Sequence, residues 1–201
     1  MTVVPELEFK EMLDKLNFKQ PRRSVVLEPR DYEGRFPAVL KVSSANITHK
    51  TEIGAVVSDI KSMEELEVTL GIMKSKFPGE VLYVEEMAKK GIEVIIGLVN
   101  DNQFGKLLMF GVGGYYSELI KDVTFKRVPI DRFDAEDVIT ELKYGNLLDG
   151  YRGLKSDRRV LVDLLLKVSD FAENLDFSQV DFNPVFLYED DYLIIDAKMV
   201  I

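Results

Sequence analysis

The sequence contains no cysteine and a single histidine, and these two shortages exclude many catalytic chemistries. Without cysteine the chain has no disulfide, no thiol nucleophile and no cysteine-bound zinc. With His49 as its one histidine, it cannot build a metal site from several imidazoles. Few side-chain chemistries therefore remain for a catalytic site.

Long hydrophobic runs are also missing, since no stretch reaches the roughly 18 apolar residues that a membrane span needs. The opening residues, MTVVPELEFKEMLDK, have neither the basic flank nor the apolar block of a signal peptide. These features predict a cytoplasmic protein with no membrane partner. A formal net charge of −9 also argues against nucleic-acid binding, which depends on lysine and arginine neutralising phosphates.

The hydrophobic periodicity predicts helices and strands that do not alternate strictly. With 201 residues and 46% hydrophobic content, the chain can form one domain or two small subdomains that share a site. Helices are expected over 5–17, about 62–76 from a cap at Ser62, and near 134–143 and 156–173. Strands are expected at SVVLE, AVLKV, GAVVSDI, VLYVEEM, EVIIGLV, KLLMFGV, VTFKRV, VDFNPVFLY and YLIIDAKMVI. This order favours an α+β fold over a doubly wound sheet.

Lys41 is an isolated cation within the apolar strand FPAVLKVSS. A buried ammonium is costly unless an anion meets it, and a phosphate would be a natural partner. Spacing alone favours the more common alternative, a lysine on the solvent face of a half-buried strand. His49 lies in NITHKTEIG. A lone histidine is usually a surface or core residue without a catalytic role, so the sequence around His49 does not by itself indicate catalysis.

Two further segments have the composition of a nucleotide site, although neither is specific alone. Gly111, Gly113 and Gly114 follow an apolar strand, where glycines allow backbone N–H groups to approach a phosphate. A tight turn explains such a cluster equally simply. Glu86 and Glu93 flank the turn in VEEMAKKGIEVIIG, which suits either an adenine hinge with a ribose acceptor or two solvated glutamates.

Asn183 and Asp196 could form a metal site, because a hairpin would bring their amide and carboxylate oxygens together. Mg²⁺ favours one or two such oxygens together with phosphates and water. The alternative is that Asn183-Pro184 only initiates a turn.

The order of these segments resembles the nucleotide-binding beta subunit of ADP-forming acyl-CoA synthetases, an ATP-grasp family, from about Phe36 to the C-terminus. The segments that carry the resemblance are PAVLKV, HKTEIGAV, EEM, GIEVIIG, DNQFG, MFGVGG, DVTF, NP and IDA, with LLDGYRG in addition. The resemblance implies an ATP-grasp fold of two α+β subdomains, which we place at 1–83 and 84–201, with the nucleotide bound between them.

The resemblance also implies a role for each matching residue. Lys41 would hold nucleotide phosphates, Glu86 and Met87 would form the adenine hinge, and Glu93 would face the ribose. Asn183 and Asp196 would bind Mg²⁺, and the glycine-loop amides would contact phosphate. His49 matches the histidine that the family uses as a second phosphoryl carrier, and a neutral imidazole suits that role.

Three features depart from the family pattern. Ala55 replaces the second glycine of a Gly-Gly pair. Lys126, which the resemblance places among the nucleotide-binding residues, replaces an arginine whose bidentate contact lysine cannot reproduce. Arg127 is expected on the opposite strand face from Lys126. The segment PRDYEGR before Phe36 is shorter than the usual helix there.

The implied reaction is acyl-CoA + ADP + phosphate ⇌ carboxylic acid + ATP + CoA, in which this chain would bind ADP or ATP with Mg²⁺. The chain has no Gly-rich dinucleotide fingerprint for CoA, so a CoA-binding alpha subunit of the same synthetase would have to supply that half. Two other hypotheses stay open. One is a non-catalytic nucleotide-sensing subunit of the same shape, and the other is a ligase subunit like that of succinyl-CoA synthetase.

Overall fold

The computed structural model describes residues 2–47, 50–114, 121–150 and 153–201. Its strands are β1 (Val3–Val4), β2 (Arg23–Val25), β3 (Ala38–Ser43), β4 (Val56–Ile60), β5 (Val81–Glu86), β6 (Ile92–Asp101), β7 (Gly105–Val112), β8 (Val123–Arg127), β9 (Gln179–Leu187), β10 (Tyr192–Ile194) and β11 (Ala197–Val200). Its α-helices are α1 (Glu6–Lys15), α2 (Met63–Lys76), α3 (Arg132–Thr140) and α4 (Arg158–Glu173). Short 3₁₀ helices cover Pro29–Asp31 and Gly145–Asp149.

The strands form two antiparallel sheets. The large sheet has the order β1-β11-β9-β6-β7-β8, with β10 paired to β9. The small sheet has the order β2-β5-β3-β4. Helices α1, α3 and α4 contribute to the hydrophobic core of the large sheet, and α2 contributes to that of the small sheet. The predicted α+β class is therefore confirmed.

Local sequence signals account well for the helices. Ser62 caps α2 by accepting a hydrogen bond from Glu65 N at 3.3 Å, as the capping-box spacing predicts. Leu66, Leu70 and Met73 then follow at helical spacing and are all buried. The helix expected near 134–143 begins earlier, at Arg132, because Asp131 accepts from Asp134 N at 2.9 Å and caps it.

The last predicted strand, YLIIDAKMVI, is divided into β10 and β11. Strand β10 pairs with residues 185–187 of β9, whereas β11 pairs with residues 179–182. Between them, Asp196 O accepts a hydrogen bond from Asn183 N at 3.2 Å. This break in the ladder places Asp196 outside a regular strand.

The first helix belongs to the core of the large sheet, although it precedes the small sheet in the chain. Phe9 stacks on Phe182, with ring centroids 5.9 Å apart. The predicted boundary after residue 83 would also cut β5, which continues to Glu86. Apolar packing places α1 with the large sheet, and hydrogen bonding places all of β5 in the small sheet. We therefore propose that the boundary follows Glu86 and that residues 2–18 belong to the second subdomain. Within the described ranges, no helix is long and apolar enough to cross a membrane.

Candidate functional site

A cleft of about 540 Å³ is lined by residues from both sheets and from α1. The small sheet contributes β3, β4 and β5, and the large sheet contributes β1, β9 and β11. Five predicted site residues line it together: Lys41, Glu86, Met87, Asn183 and Asp196. The fold therefore brings these five residues, from three separate parts of the sequence, to one cleft.

Lys41 is buried at this cleft among carboxylates. Its Nζ lies 3.0 Å from Glu85 Oε2, 3.2 Å from Glu6 Oε1 and 3.3 Å from Asp196 Oδ1. Burial by itself would lower the pKa of Lys41, but the facing Glu6 and Glu85 carboxylates outweigh it and hold the pKa well above its ordinary value. The solvent-face alternative for Lys41 is therefore wrong, since only 4% of the residue is exposed.

A second lysine, Lys10 of α1, is fully buried beside Lys41. Its Nζ lies 2.5 Å from Glu85 Oε1 and 3.2 Å from Glu6 Oε1. Burial and the neighbouring ammonium of Lys41 lower the pKa of Lys10. We call Glu6, Lys10, Lys41 and Glu85 the ion cluster. Its two cations and two anions balance formally, which buried charges require.

The sequence analysis missed Glu6, Lys10 and Glu85, although partial signals for them exist. Glu6 and Lys10 are spaced i, i+4 on a predicted helix, which places them on one face. In the small sheet, Lys41 pairs with Tyr83 and Val39 pairs with Glu85. Lys41 and Glu85 are therefore diagonal neighbours on one face, and only knowledge of the strand register could have shown this.

Asn183 and Asp196 present a donor set that suits a hard cation. Asn183 is exposed, and 41% of the Asp196 side chain is exposed. Burial on its inner side, together with the Glu6 carboxylate, raises the pKa of Asp196 to about 6. Among the residues that the structure describes, no three His, Cys, Asp or Glu side chains form a metal-binding group. One carboxylate and one amide fit Mg²⁺, which completes its shell with phosphate and water.

The predicted hinge and the glycine segment occupy different places. Met87 is 40% exposed at the cleft wall, and its N–H donates to Pro37 O at 2.9 Å. Glu93 lies outside the described cleft lining, where its backbone O accepts from Gly113 N at 2.8 Å. Gly114 lies beside the Glu93 carboxylate and has a φ of +102°, which favours glycine.

Gly111 has a local packing role. A Cβ at this position would lie 2.8 Å from Asp122 O, so glycine permits the close approach of β7 to the segment before β8. None of Gly111, Gly113 and Gly114 is among the described residues that line the cleft. Their predicted contact with phosphate stays a prediction.

Lys126 points away from the cleft. It pairs with Leu108 in register, on the face of the large sheet that the helices cover. Its Nζ contacts the Asp137 carboxylate of α3 and lies 3.4 Å from Glu141 Oε1. The hydrogen bond to Asp137 raises the pKa of Lys126. The structure therefore does not bring Lys126 to the other predicted site residues, because strand alternation directs it toward α3.

His49 lies outside the described residues, but the segment that follows it reaches the cleft. Lys50 and Thr51 are lining residues, and Lys50 Nζ lies 2.5 Å from Glu6 Oε2. Ala55 is fully buried in the core of the small sheet, and its N–H donates to Lys50 O at 2.7 Å. Ala55, which replaces a glycine of the family pattern, therefore packs in the core of the small sheet.

Comparison with known proteins shows the family. Residues 2–201 match the family model described as the ATP-grasp domain. The ADP-forming acetate–CoA ligase II of Archaeoglobus fulgidus is 40% identical over 166 residues, which cover 83% of this chain and 25% of that protein. The beta subunit of ADP-forming acetate–CoA ligase II of Pyrococcus furiosus is 38% identical over 178 residues, which cover 83% of this chain and 75% of the subunit. The chain thus spans one quarter of the first relative's length.

Two solved structures of the dinucleotide-forming acetyl-coenzyme A synthetase 1 of Ca. Korarchaeum cryptofilum have the same fold. One, in complex with coenzyme A, Ca-AMPCP and HgCl⁺, matches with a TM-score of 0.90 and 31% identity, covering 100% of this chain and 93% of that chain. The other, in complex with coenzyme A and Mg-AMPPCP, has its phosphohistidine segment pointing towards the nucleotide-binding site. It matches with a TM-score of 0.85 and 32% identity, covering 98% and 91% of the two chains.

Proposed function

The chain belongs to the ATP-grasp family and to the beta subunits of ADP-forming acetate–CoA ligases within it, and we propose that it is the nucleotide-binding subunit of an ADP-forming acyl-CoA synthetase. The reaction is acyl-CoA + ADP + phosphate ⇌ carboxylic acid + ATP + CoA. Phosphate would reach ADP through a histidine carrier. This subunit would perform the nucleotide half of the reaction in the cytoplasm.

The observation that carries the proposal is the single cleft that Lys41, Met87, Asn183 and Asp196 share. These residues lie in three separate parts of the sequence, and the fold brings them to one site between two sheets. Among relatives with the same fold, the protein of Ca. Korarchaeum cryptofilum binds Mg-AMPPCP. A nucleotide with a divalent cation is therefore the ligand that we assign to this cleft.

The chain's own residues would act mainly by positioning and by neutralising charge. Phosphoryl transfer has a loose transition state whose charge is spread over the phosphoryl oxygens. Lys41 would exchange part of its contact with carboxylates for contact with phosphate, and the backbone at Met87 would orient the adenine. Asn183 and Asp196 would hold Mg²⁺, which when bound neutralises phosphate charge. Glu93, at the start of β6, and the neighbouring Gly114, just after β7, would contact the ribose and phosphate.

The CoA-binding alpha subunit of the same synthetase is the partner that the proposal requires. The relative from Pyrococcus furiosus is named as a beta subunit, and the one from Ca. Korarchaeum cryptofilum binds coenzyme A. The departures at Ala55 and Lys126 lie outside the described cleft lining. They therefore give no support to the alternative of a non-catalytic nucleotide sensor.

The test of this proposal is His49→Ala in the complex with the alpha subunit. We expect ATP formation to fall by orders of magnitude while nucleotide affinity stays nearly unchanged, because a covalent carrier is lost and the cleft is kept. Coupled assay of ATP formation and calorimetry of ADP binding measure the two effects. A variant that turns over within about tenfold of wild type, or less than roughly 1.4 kcal/mol of barrier, would refute the histidine relay.

A further inference from the structure

Glu6 is a buried carboxylate that contacts three lysines, two of which have separate positions in the proposed relay. Its Oε1 lies 3.2 Å from Lys41 Nζ, and its Oε2 lies 2.5 Å from Lys50 Nζ. Lys41 is the proposed phosphate-binding cation, and Lys50 directly follows the proposed carrier, His49. The Glu6 carboxylate therefore connects the proposed phosphate-binding Lys41 to Lys50, the residue after the proposed carrier.

The position of Glu6 is fixed from both sheets. Glu6 is 3% exposed in the first turn of α1. Phe9 and Leu13 bury the apolar face of that helix in the core of the large sheet. Next to Glu6, Leu7 N donates to Ser43 Oγ of β3 at 3.0 Å, which ties the start of α1 to the small sheet. The carboxylate is therefore held rigidly at the cleft.

Lys50, in contrast, depends on Glu6 for its position. Its side chain is 17% exposed, and a lysine stem without a partner directs its ammonium to water. The Lys50 backbone O accepts from Ala55 N at 2.7 Å, so the side chain is attached to a tight turn over residues 50–54. Fixing the ammonium of Lys50 therefore restrains this turn against the cleft.

We propose that Glu6 is a positioning residue for phosphoryl transfer: by holding Lys50 beside Lys41, it keeps the turn that directly follows His49 in place at the nucleotide cleft. The inference rests on the proposed function. In the step concerned, the phosphorus–nitrogen bond to His49 breaks while a phosphorus–oxygen bond to the terminal phosphate of ADP forms. The ring nitrogen takes up one proton from solvent. Glu6 makes and breaks no bond in this step.

The test uses the complex with the alpha subunit and the variants Glu6→Gln, Lys50→Gln and their combination. The rate of phosphoryl transfer to ADP is measured in a single turnover, and ADP affinity is measured by calorimetry. We expect each single variant to lose about tenfold or more in rate. The double variant should lose no more than the worse single variant, because both changes remove the same Glu6–Lys50 contact. For Lys50→Gln, ADP affinity should stay within about threefold of wild type, since Lys41 is retained. Glu6→Asp should recover part of the rate.

Lys19→Gln is the matched control, because it removes an exposed ion pair with Asp191, 2.6 Å apart, away from the cleft. It should leave the rate unchanged. Additive losses in the double variant would overturn the inference, because Lys50 would then act on phosphate independently of Glu6. A single-variant rate within about threefold of wild type would also overturn it.

Amide hydrogen exchange separates failure of this inference from failure of the proposed function. In the chain without nucleotide, Glu6→Gln and Lys50→Gln should both speed exchange at Gly54 and Ala55, because the turn is released. If wild type forms no ATP, the proposed function fails whatever the exchange shows. If wild type is active and exchange does not change in the variants, only the positioning role is overturned.

Discussion

The residues of the ion cluster and the neighbouring Asp196 differ greatly in how far they are exposed to solvent. Glu6, Lys10, Lys41 and Glu85 are almost completely buried, so each charge depends on its neighbours for compensation. Asp196 is in contact with this group, yet 41% of its side chain is exposed. Stability should therefore depend on the buried members, while Asp196 remains accessible for binding.

At this scale we predict that Lys10→Met destabilises the chain by about 3–5 kcal/mol, because it leaves the buried Glu6 and Glu85 carboxylates without a buried cation that pairs with both. Lys19→Met is the matched control, since it breaks the exposed Lys19–Asp191 pair, 2.6 Å apart. The control should change stability by no more than about 1 kcal/mol. Urea unfolding of both variants measures the difference. Equal losses in the free energy of unfolding would show that burial does not determine how much an ion pair of this chain stabilises the fold.

At the scale of elements, helix α2 and the turn that follows it contain glycines in different conformations. Gly71 lies in the helix interior, where an added Cβ would have no heavy atom within 4 Å. Gly79 follows the helix with equally open space but a φ of +83°. Backbone conformation, rather than available room, should therefore decide what a substitution does at each position.

We predict that Gly71→Ala stabilises the chain by about 0.5–1 kcal/mol, because alanine has the higher helix propensity. Gly79→Ala should instead destabilise it by about 1–2 kcal/mol, because an L-residue is strained in the left-handed region. Urea unfolding measures both changes. The same sign of effect in the two variants would contradict this explanation.

At the scale of the whole molecule, the cleft joins two sheets whose contributions come from distant parts of the chain. A ligand that contacts both sides should favour the folded state over the unfolded one, by an amount set by its concentration relative to Kd. Nucleotide binding should therefore appear as global stabilisation of the protein.

We predict that Mg-ADP at a hundredfold excess over its Kd stabilises the chain by about 2.7 kcal/mol. Asp196→Asn should weaken the part of this stabilisation that depends on Mg²⁺, because a neutral amide is a poorer ligand for a hard cation. The melting temperature of the empty variant should stay close to that of wild type, since the side chain is 41% exposed. Thermal unfolding with Mg²⁺ or with EDTA checks this, and equal nucleotide effects in the two conditions would refute the metal assignment.

The sequence by itself determined the local elements and the family. Helical spacing and the Ser62 cap predicted α2, alternating β-branched runs predicted most strands, and the ordered motifs indicated an ATP-grasp subunit. These signals are readable because each depends on residues a few positions apart, or on a motif order that needs no coordinates. The sequence also predicts that Asn183 and Asp196 come together, because they are near one another along a predicted hairpin; their binding of Mg²⁺ stays a proposal.

Tertiary structure alone decided which residues surround the cleft. The contacts of the ion cluster join residues far apart in the chain: 35 positions for Lys41 to Glu6, 75 for Lys10 to Glu85 and 155 for Lys41 to Asp196. Such contacts depend on strand register and on which sheet buries each apolar helix face, and neither is encoded in a local window. For the same reason, local patterns do not identify Glu6 and Lys10 as site residues, and the motif match places Lys126 at a site from which its strand directs it away.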